Sequence, residues 1–372
     1  MGLSLMEGNE AIGWGALDAG CRFFAGYPIT PATSVFNTML RLLPPVGGIV
    51  LQGEDEIASM GYCIGAAMAG FKVMTATSGP GISLYSEHIS FAIGSEIPMV
   101  IVDVQRLGPS TGSATKGSDG DVQFLRWSNT GGCPAIVLAP VDAADCYSLT
   151  IKAFNLAETY RCPVFLASNK EIGLTKEAID LDACEKPEPV DRPYCPPGQT
   201  CLPFAPIPGR QIPYFLPIGG ERLSRQTSST HGENGYITTV PAEIAAQIER
   251  LDRKLTANVD AYAYHAADLQ YGADTLILTY GVTARAARKA TAQLRAEGRL
   301  VSLVVLKTLW PCPENLIRRL SSDVSRVLVC EMNNGQYSRE VERVLRNKTV
   351  THVGHMNGVL ISPDQIKEAF HG

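Results

Sequence analysis

Short apolar runs and amphipathic stretches take turns along most of the chain. RFFAGY is followed by TSVFNTMLRLL, GIVLQ by EIASMGYCIGAAMAG, and KVMTAT by SLYSEHISFAIG; PMVIVDV and PAIVLA come next, then a helical pattern from Ala143 to Tyr160, then PVFLAS. A strand covered on both faces must be apolar at successive positions, because neighbouring side chains point to opposite sides of the sheet. The alternation therefore predicts a parallel sheet with helices on both faces, from Gly13 to about Asn169. A helix is expected around Pro241 to Leu255. The pattern then resumes: TLILTYG before ARAARKATAQLRAEG, RLVSLVVLKTL before PENLIRRLSS, RVLVCEM before SREVERVLRN, and TVTHVGH before SPDQIKEAF.

Between the two alternating regions the texture changes. Ten of the 24 prolines fall between Pro187 and Pro217, and the polar run ERLSRQTSSTHGENG follows. No periodic helix or strand fits there. Tyr194, Phe204, Tyr214 and Phe215 suggest that this stretch lies along a surface, its own or a partner's. The organisation read from the chain is an α/β domain over residues 1–183, a proline-rich extended linker over 184–235, a connecting helical segment over 236–271, and a second, smaller α/β domain over 272–372. No sequence repeat relates the two domains.

At 372 residues there is ample length for two cores. Charged residues make up 19% and the net charge is −5, which points to neither nucleic acid nor an anionic membrane. No apolar run reaches the ~18 to 20 residues of a spanning helix, and MGLSLMEGNE lacks the basic and apolar regions of a signal peptide. A cytoplasmic location is expected. Cys21, Cys63, Cys133, Cys146, Cys162 and Cys184 are scattered singly among apolar segments and read as reduced thiols. Cys195 and Cys201, in CPPGQTC, match no usual zinc or iron-sulfur spacing, so no metal site is expected in this chain.

Four stretches could carry chemistry. In AGYPITPAT, Pro28 and Pro31 stiffen the exit from a strand, with Thr30 expected as a helix cap and Pro31 as the first helical residue. A rigid turn without chemistry would look the same. QGEDEIAS sets carboxylates at the start of a helix; Glu54 and Asp55 suit capping, whereas Glu56 opens a helix of small and apolar side chains. A carboxylate kept from water has a raised pKa and becomes an acid/base candidate. ATSGPGISLYSE offers Gly79 and Gly81 at a strand-to-helix turn, where a backbone can approach a ligand, although it is no dinucleotide or phosphate-loop motif. DVQRLGPSTGSATKGSDGD begins with Arg106, suited to a two-bond grip on a carboxylate or, equally, to a surface ion pair. Lys116 and Asp119 carry the same ambiguity. His231, His88 and the other dispersed histidines read as surface or packed residues.

GYPITPAT, QGEDEIAS, TATSGPGISL, DVQRLGPSTG, HGENG and EMNNGQY, in that order and at these spacings, resemble the alpha subunit of the 2-oxoacid:ferredoxin oxidoreductases, above all the branch acting on 2-oxoglutarate. The resemblance spans nearly the whole chain. It implies a first domain that holds the aminopyrimidine end of thiamine diphosphate and a last domain of transketolase C-terminal type. A separate beta subunit would hold the diphosphate and Mg²⁺ and carry a [4Fe-4S] cluster. The metal motif of thiamine enzymes, Gly-Asp-Gly with a distant Asn, has only SDGD at Ser118 with Asn129 here, which is too close. A domain that some relatives fuse to this subunit is then a separate gamma chain or absent. By the same resemblance Glu56 is the catalytic group sharing a proton with the pyrimidine ring, Arg106 and Thr30 bind the substrate carboxylate, and Tyr27, Pro28, Ile29, Ser78 and Gly79 line the cofactor. The products of oxidative decarboxylation, an acyl group for coenzyme A and electrons for ferredoxin or another acceptor, follow. The GSATKGSDGD sequence departs from the family loop, which leaves the 2-oxoacid open between 2-oxoglutarate and a pyruvate, branched-chain or aryl relative. Lys116 and Arg126 are candidates for a distal carboxylate. A non-catalytic assembly subunit and a nicotinamide-binding protein are the remaining readings, the latter lacking a dinucleotide fingerprint.

Overall fold

A computed structural model describes residues 2–372. The first half runs β1 (Ser4–Glu7), α1 (Gly8–Asp18), β2 (Phe23–Gly26), α2 (Thr33–Leu42), β3 (Ile49–Gln52), α3 (Glu56–Met68), β4 (Val73–Thr77), α4 (Pro80–Leu84), α5 (Ser86–Gly94) and β5 (Met99–Gln105). It continues with α6 (Val122–Trp127), β6 (Ile136–Leu138), α7 (Ala143–Tyr160), β7 (Pro163–Asn169), α8 (Lys170–Leu174) and β8 (Lys176–Ile179). After the linker come α9 (Pro241–Thr256), β9 (His265–Asp268), β10 (Thr275–Thr279), α10 (Thr283–Ala296), β11 (Val301–Leu306) and β12 (Thr308–Trp310). The chain ends with α11 (Glu314–Leu320), β13 (Arg326–Glu331), α12 (Ser338–Val344), β14 (Thr349–Gly354) and α13 (Pro363–His371).

The main sheet has seven strands in the order β12-β6-β7-β5-β4-β2-β3, parallel throughout except where β12 runs against β6. Alternate residues feed two cores. Phe24, Met74, Val100, Val102, Val164 and Leu166 face α1, α2 and α7, while Phe23, Val73, Met99, Ile101 and Phe165 face α3 and α5. The second sheet has five strands, β14-β13-β10-β11-β9, with only β9 antiparallel. Because β12 belongs to the second half yet completes the first sheet, the halves share a core in which Trp310 and Tyr337 pack together.

Several elements depart from the sequence reading. Helix α1 was not expected, because glycines interrupt its apolar pattern; they are there for close packing, and a Cβ at Gly15 would stand 2.5 Å from the Tyr147 carbonyl oxygen of α7. The β1–β8 ribbon and the edge strand β9 are short and largely exposed, so they lack the apolar runs that mark buried strands. Helix α2 starts at Thr33, so Pro31 is not its first residue and Thr30 is not its cap. The carbonyls of this turn are taken by side chains instead: Asn9 donates to Pro31 O at 2.9 Å and Arg106 to Thr30 O at 2.6 Å.

Between Ile179 and Pro241 no helix or strand forms. The segment follows the surface of its own chain: Phe204 and Phe215 are buried, the Ile218 amide donates to Met68 O, and a disulfide joins Cys195 to Cys201. Cys21, Cys63, Cys146 and Cys162 are buried free thiols, and Cys133 and Cys184 are half-buried ones. The firmest attachment is Arg192, which meets Glu158 of α7 through two bonds of 2.6 Å and donates to the Ala67 and Phe71 carbonyls at the end of α3. Both side chains are nearly free of solvent contact. Arg192→Ala strands the buried Glu158 carboxylate, and the expected loss is about 3–5 kcal/mol of stability, read by urea unfolding of the purified protein.

Candidate active site

The order of the main sheet locates the site. From β2 the chain steps outward to β3 and then returns to the other side of β2 as β4, so a crevice opens beyond the carboxyl ends of β2 and β4. The loop after β2 carries Tyr27 to Thr30, the loop after β4 carries Ser78 and Gly79, and α3, which follows β3, begins with Glu56. Three loops therefore meet at one point.

Glu56 is 7% exposed. Its helix is started by Asp55, whose carboxylate accepts the Ala58 amide at 2.7 Å, so the acid next to Glu56 does the capping and leaves Glu56 free of that task. Among the described residues no donor hydrogen-bonds the Glu56 carboxylate. It is walled by the turn after β4: a Cβ placed on Gly81 would stand 2.0 Å from Thr77 Oγ1 and 2.9 Å from Glu56 Oε1. Thr77 Oγ1 and Ser78 Oγ are buried and have no hydrogen-bond partner. Gly79 takes a positive φ of 36°, which favours a residue without a side chain. Behind this wall the buried Tyr85 hydroxyl bonds Thr75 at 2.9 Å, and burial, aided by the nearby Glu56 charge, pushes its pKa upward.

Arg106 leaves β5 and reaches across to the same place. It is 4% exposed, it packs its stem 3.5 Å from where a Gly79 Cβ would sit, and it donates to the Thr30 and Thr111 carbonyls. Its Nε is buried without a partner. Burial lowers its pKa, while the charges of Asp121 and Glu56 support the guanidinium. Two backbone oxygens thus fix the plane of the group and leave one edge for an incoming anion. No carboxylate bonds it, so the surface ion pair is not what this arginine makes.

These groups fit the aminopyrimidine end of thiamine diphosphate: a glycine turn whose backbone stands bare and close to the acid, a carboxylate without a donor, and unpaired hydroxyls beside it. Of the sequence-predicted residues, Glu56, Ser78, Gly79 and Arg106 come together. Pro28 and Ile29 are half-buried beside them, Tyr27 and the Thr30 side chain are exposed, and the Thr30 contact to Arg106 is made by its carbonyl. Lys116 is exposed on the Arg106 loop, where its carbonyl accepts the Leu107 amide. Arg126 lies elsewhere: it donates to Gly132 and Cys133, covers the Trp127 ring, and lines a hollow shared with Glu340 and Arg343. His231 is buried against Phe204 at 3.8 Å between ring centres, a packed histidine. Asp103, not singled out in the sequence, is fully buried in β5; an aspartate inside the apolar run MVIVDVQ was the available signal.

A profile for pyruvate flavodoxin/ferredoxin oxidoreductases, thiamine diphosphate-binding, matches residues 14–249, and one for core domain II of pyruvate:ferredoxin oxidoreductase matches residues 273–366. The chain is 39% identical to the 2-oxoglutarate synthase subunit KorA of Methanocaldococcus jannaschii over 100% of both chains. It superposes on the 2-oxoglutarate:ferredoxin oxidoreductase of Magnetococcus marinus, solved with 2-oxoglutarate, coenzyme A and succinyl-CoA bound, with a TM-score of 0.92 at 32% identity. That match covers 99% of this chain and 65% of the other, so this chain spans about two thirds of that protein's length. A split-gene transketolase, at 14% identity and a TM-score of 0.56 over 99% of this chain and 98% of that one, shares the fold. Gly81→Val drives a side chain against Thr77 and Glu56 and must displace them; the expected outcome is an about tenfold or greater rise in the thiamine diphosphate concentration needed for half-maximal turnover.

Proposed function

The chain belongs to the pyruvate flavodoxin/ferredoxin oxidoreductase family, and from that premise we propose that it is the alpha subunit of a thiamine diphosphate-dependent 2-oxoacid:ferredoxin oxidoreductase that acts on 2-oxoglutarate with coenzyme A. The observation that carries this reading is Glu56, buried and without a hydrogen-bond donor, beside a glycine turn and across a crevice from Arg106.

Thiamine diphosphate, when bound, would supply the electron sink that lets a 2-oxoacid lose carbon dioxide. Glu56 would hold a proton at a nitrogen of the pyrimidine ring. Ser78 and Gly79 would lie along the ring, with Pro28 and Ile29 closing the opposite side and Tyr27 at the rim. Arg106 would grip the 1-carboxylate on its free edge, while the Thr30 backbone, already engaged, keeps the guanidinium from turning. The Thr30 hydroxyl, exposed at the mouth, is placed to meet the same carboxylate. For the distal carboxylate of 2-oxoglutarate, Lys116 is the better of the two candidates. It sits on the loop that begins at Arg106, its stem packs on Gly358, and among the described residues its ammonium has no hydrogen-bonded partner.

The other half of the cofactor site is assigned to a partner chain, which in this reading holds the diphosphate, Mg²⁺ and a [4Fe-4S] cluster and passes electrons to ferredoxin or another acceptor. In support, β3 is an edge strand with Ile49 and Leu51 uncovered, and Ile57, Tyr62 and Leu84 stand exposed near Glu56. Apolar side chains in this density around a reactive carboxylate suit a surface that a second subunit covers. A gamma subunit is a further candidate partner. Among the described residues no helix is long and apolar enough to cross a membrane, and we assign the assembly to the cytoplasm.

Glu56→Ala, produced with the copurifying partner chains, is expected to lower coenzyme A-dependent decarboxylation by about 10²–10⁴-fold while the subunits still elute together. Normal turnover in that variant would make the chain a scaffold for a site elsewhere. In a panel of 2-oxoacids, Lys116→Ala should raise KM about tenfold for 2-oxoglutarate and leave pyruvate unaffected; equal effects on both would remove Lys116 from the specificity role.

A further inference from the structure

The loop that leaves β5 with Arg106 is shaped by its own bonds and by the second half of the chain. The Leu107 amide donates to the Lys116 carbonyl at 2.8 Å, the Ser113 amide to the Leu107 carbonyl at 2.8 Å and the Lys116 amide to the Ser113 carbonyl at 3.0 Å. Residues 107–116 therefore close into a ring that starts next to Arg106. Just beyond the ring the Ser118 hydroxyl and the Asp119 amide both donate to the Met332 carbonyl, at 3.1 Å and 3.0 Å, at the end of β13. The Lys116 backbone is thus fixed from both sides.

Its side chain is received by the turn after β14, the strand paired with β13. This turn holds itself: the Val359 amide donates to the Asn357 side chain at 3.0 Å, and a His355 ring nitrogen bonds the Val359 carbonyl at 3.0 Å. Gly358 sits in it with a φ of 76°, a left-handed conformation that favours glycine. A Cβ built there would stand 2.7, 3.0 and 3.1 Å from Cβ, Cγ and Cδ of Lys116. Three successive carbons at nearly one distance mean that the lysine stem runs flat across the bare Gly358 backbone. Met356 ends between the glycines on either side of the ring. Its Cε lies 2.9 Å from where a Cβ on Gly120 would be and 4.0 Å from one on Gly108. The thioether end fills the space under the ring and sets how far the ring stands from β14. Lys116 is exposed, and among the described residues its ammonium has no hydrogen-bonded partner, so the stem is laid down while the charge is left for a ligand.

We propose that Gly358, with Met356, is a specificity-determining position for the 2-oxoacid: the turn after β14 lays the Lys116 stem along its backbone and so aims the ammonium at the distal carboxylate of a substrate held by Arg106. This inference rests on the reading of Lys116 as the partner of that carboxylate. Gly358 and Met356 are positioning residues, which act through Lys116. A free lysine loses rotamer freedom when its head is captured, and one already laid down loses less. The gain exists only for a substrate with a second carboxylate, since a 2-oxoacid without one makes no contact there.

The experiment compares KM for 2-oxoglutarate with that for pyruvate, the latter as substrate or as competitive inhibitor, in the assembled enzyme. Gly358→Ala puts a methyl group into the Lys116 stem. The KM for 2-oxoglutarate should rise about five- to tenfold, while kcat and the pyruvate value change less than about twofold. In a Lys116→Ala background the same substitution should add nothing, because no stem is left to displace. Gly198→Ala controls for backbone strain: Gly198 has the same φ of 76° and a Cβ there meets nothing within 4 Å, so both values should stay at wild type. Met356→Ala should raise the KM for 2-oxoglutarate alone, and Met356→Leu, which refills the space, should not; this pair decides the matter if Gly358→Ala does not assemble. An unchanged KM in Gly358→Ala, equal rises for both 2-oxoacids, or a rise that persists in full without Lys116 overturns the inference and leaves the Lys116 reading standing. An unchanged KM for 2-oxoglutarate in Lys116→Ala overturns that reading, and this inference with it.

Discussion

Glu56, 7% exposed and with no hydrogen-bond donor on it among the described residues, is placed by a helix whose start other residues hold. The Asp55 side chain accepts the Ala58 amide at the start of α3, and near its end Arg192 donates to the Ala67 carbonyl and, past the helix, to Phe71, while its charge is met by Glu158. A buried carboxylate without a partner costs free energy, by about several kcal/mol if fully isolated.

The second half of the chain takes part in the same construction. The loop that starts with Arg106 ends at Ser118 to Asp121, and there it is tied to the segment after β13. Ser118 and the Asp119 amide both donate to the Met332 carbonyl, Asn333 donates to Asp119 O, and Gln123 and Gln336 bond each other. Glu331 in turn is fixed by Tyr280 and by the amides of Tyr337 and Ser338. The motifs SDGD and EMNNGQY, far apart in sequence, are thus two sides of one contact. Its effect is to brace the substrate side of the crevice from behind, as the linker braces the acid side through Arg192.

The strands were legible because buried parallel strands have to be apolar at every position, and each run from RFFAGY to TVTHVGH found its place. The antiparallel additions β1, β8 and β9 were not, since four largely exposed residues of mixed polarity carry no such mark. Helix α1 was hidden by the very glycines that let it lie close to α7. At the site, Glu56 and Arg106 stood out because a charge at the end of an apolar strand, or at the head of an apolar helix, is expensive unless it has a use. The Thr30-Pro31 turn looked like a helix start and serves instead as a rack of carbonyls for Asn9 and Arg106.

The central claim is that Glu56 exchanges a proton with the ring of a cofactor whose phosphates are held by another chain. Its most direct test is the rate at which the acidic carbon hydrogen of bound thiamine diphosphate exchanges with deuterium in the assembled enzyme, by rapid quench and proton NMR, in the absence of substrate. With Glu56→Gln, which keeps the shape and removes the acid, the account predicts exchange slowed by about 10²-fold or more with the cofactor still bound. Exchange at the wild-type rate in that variant would contradict it.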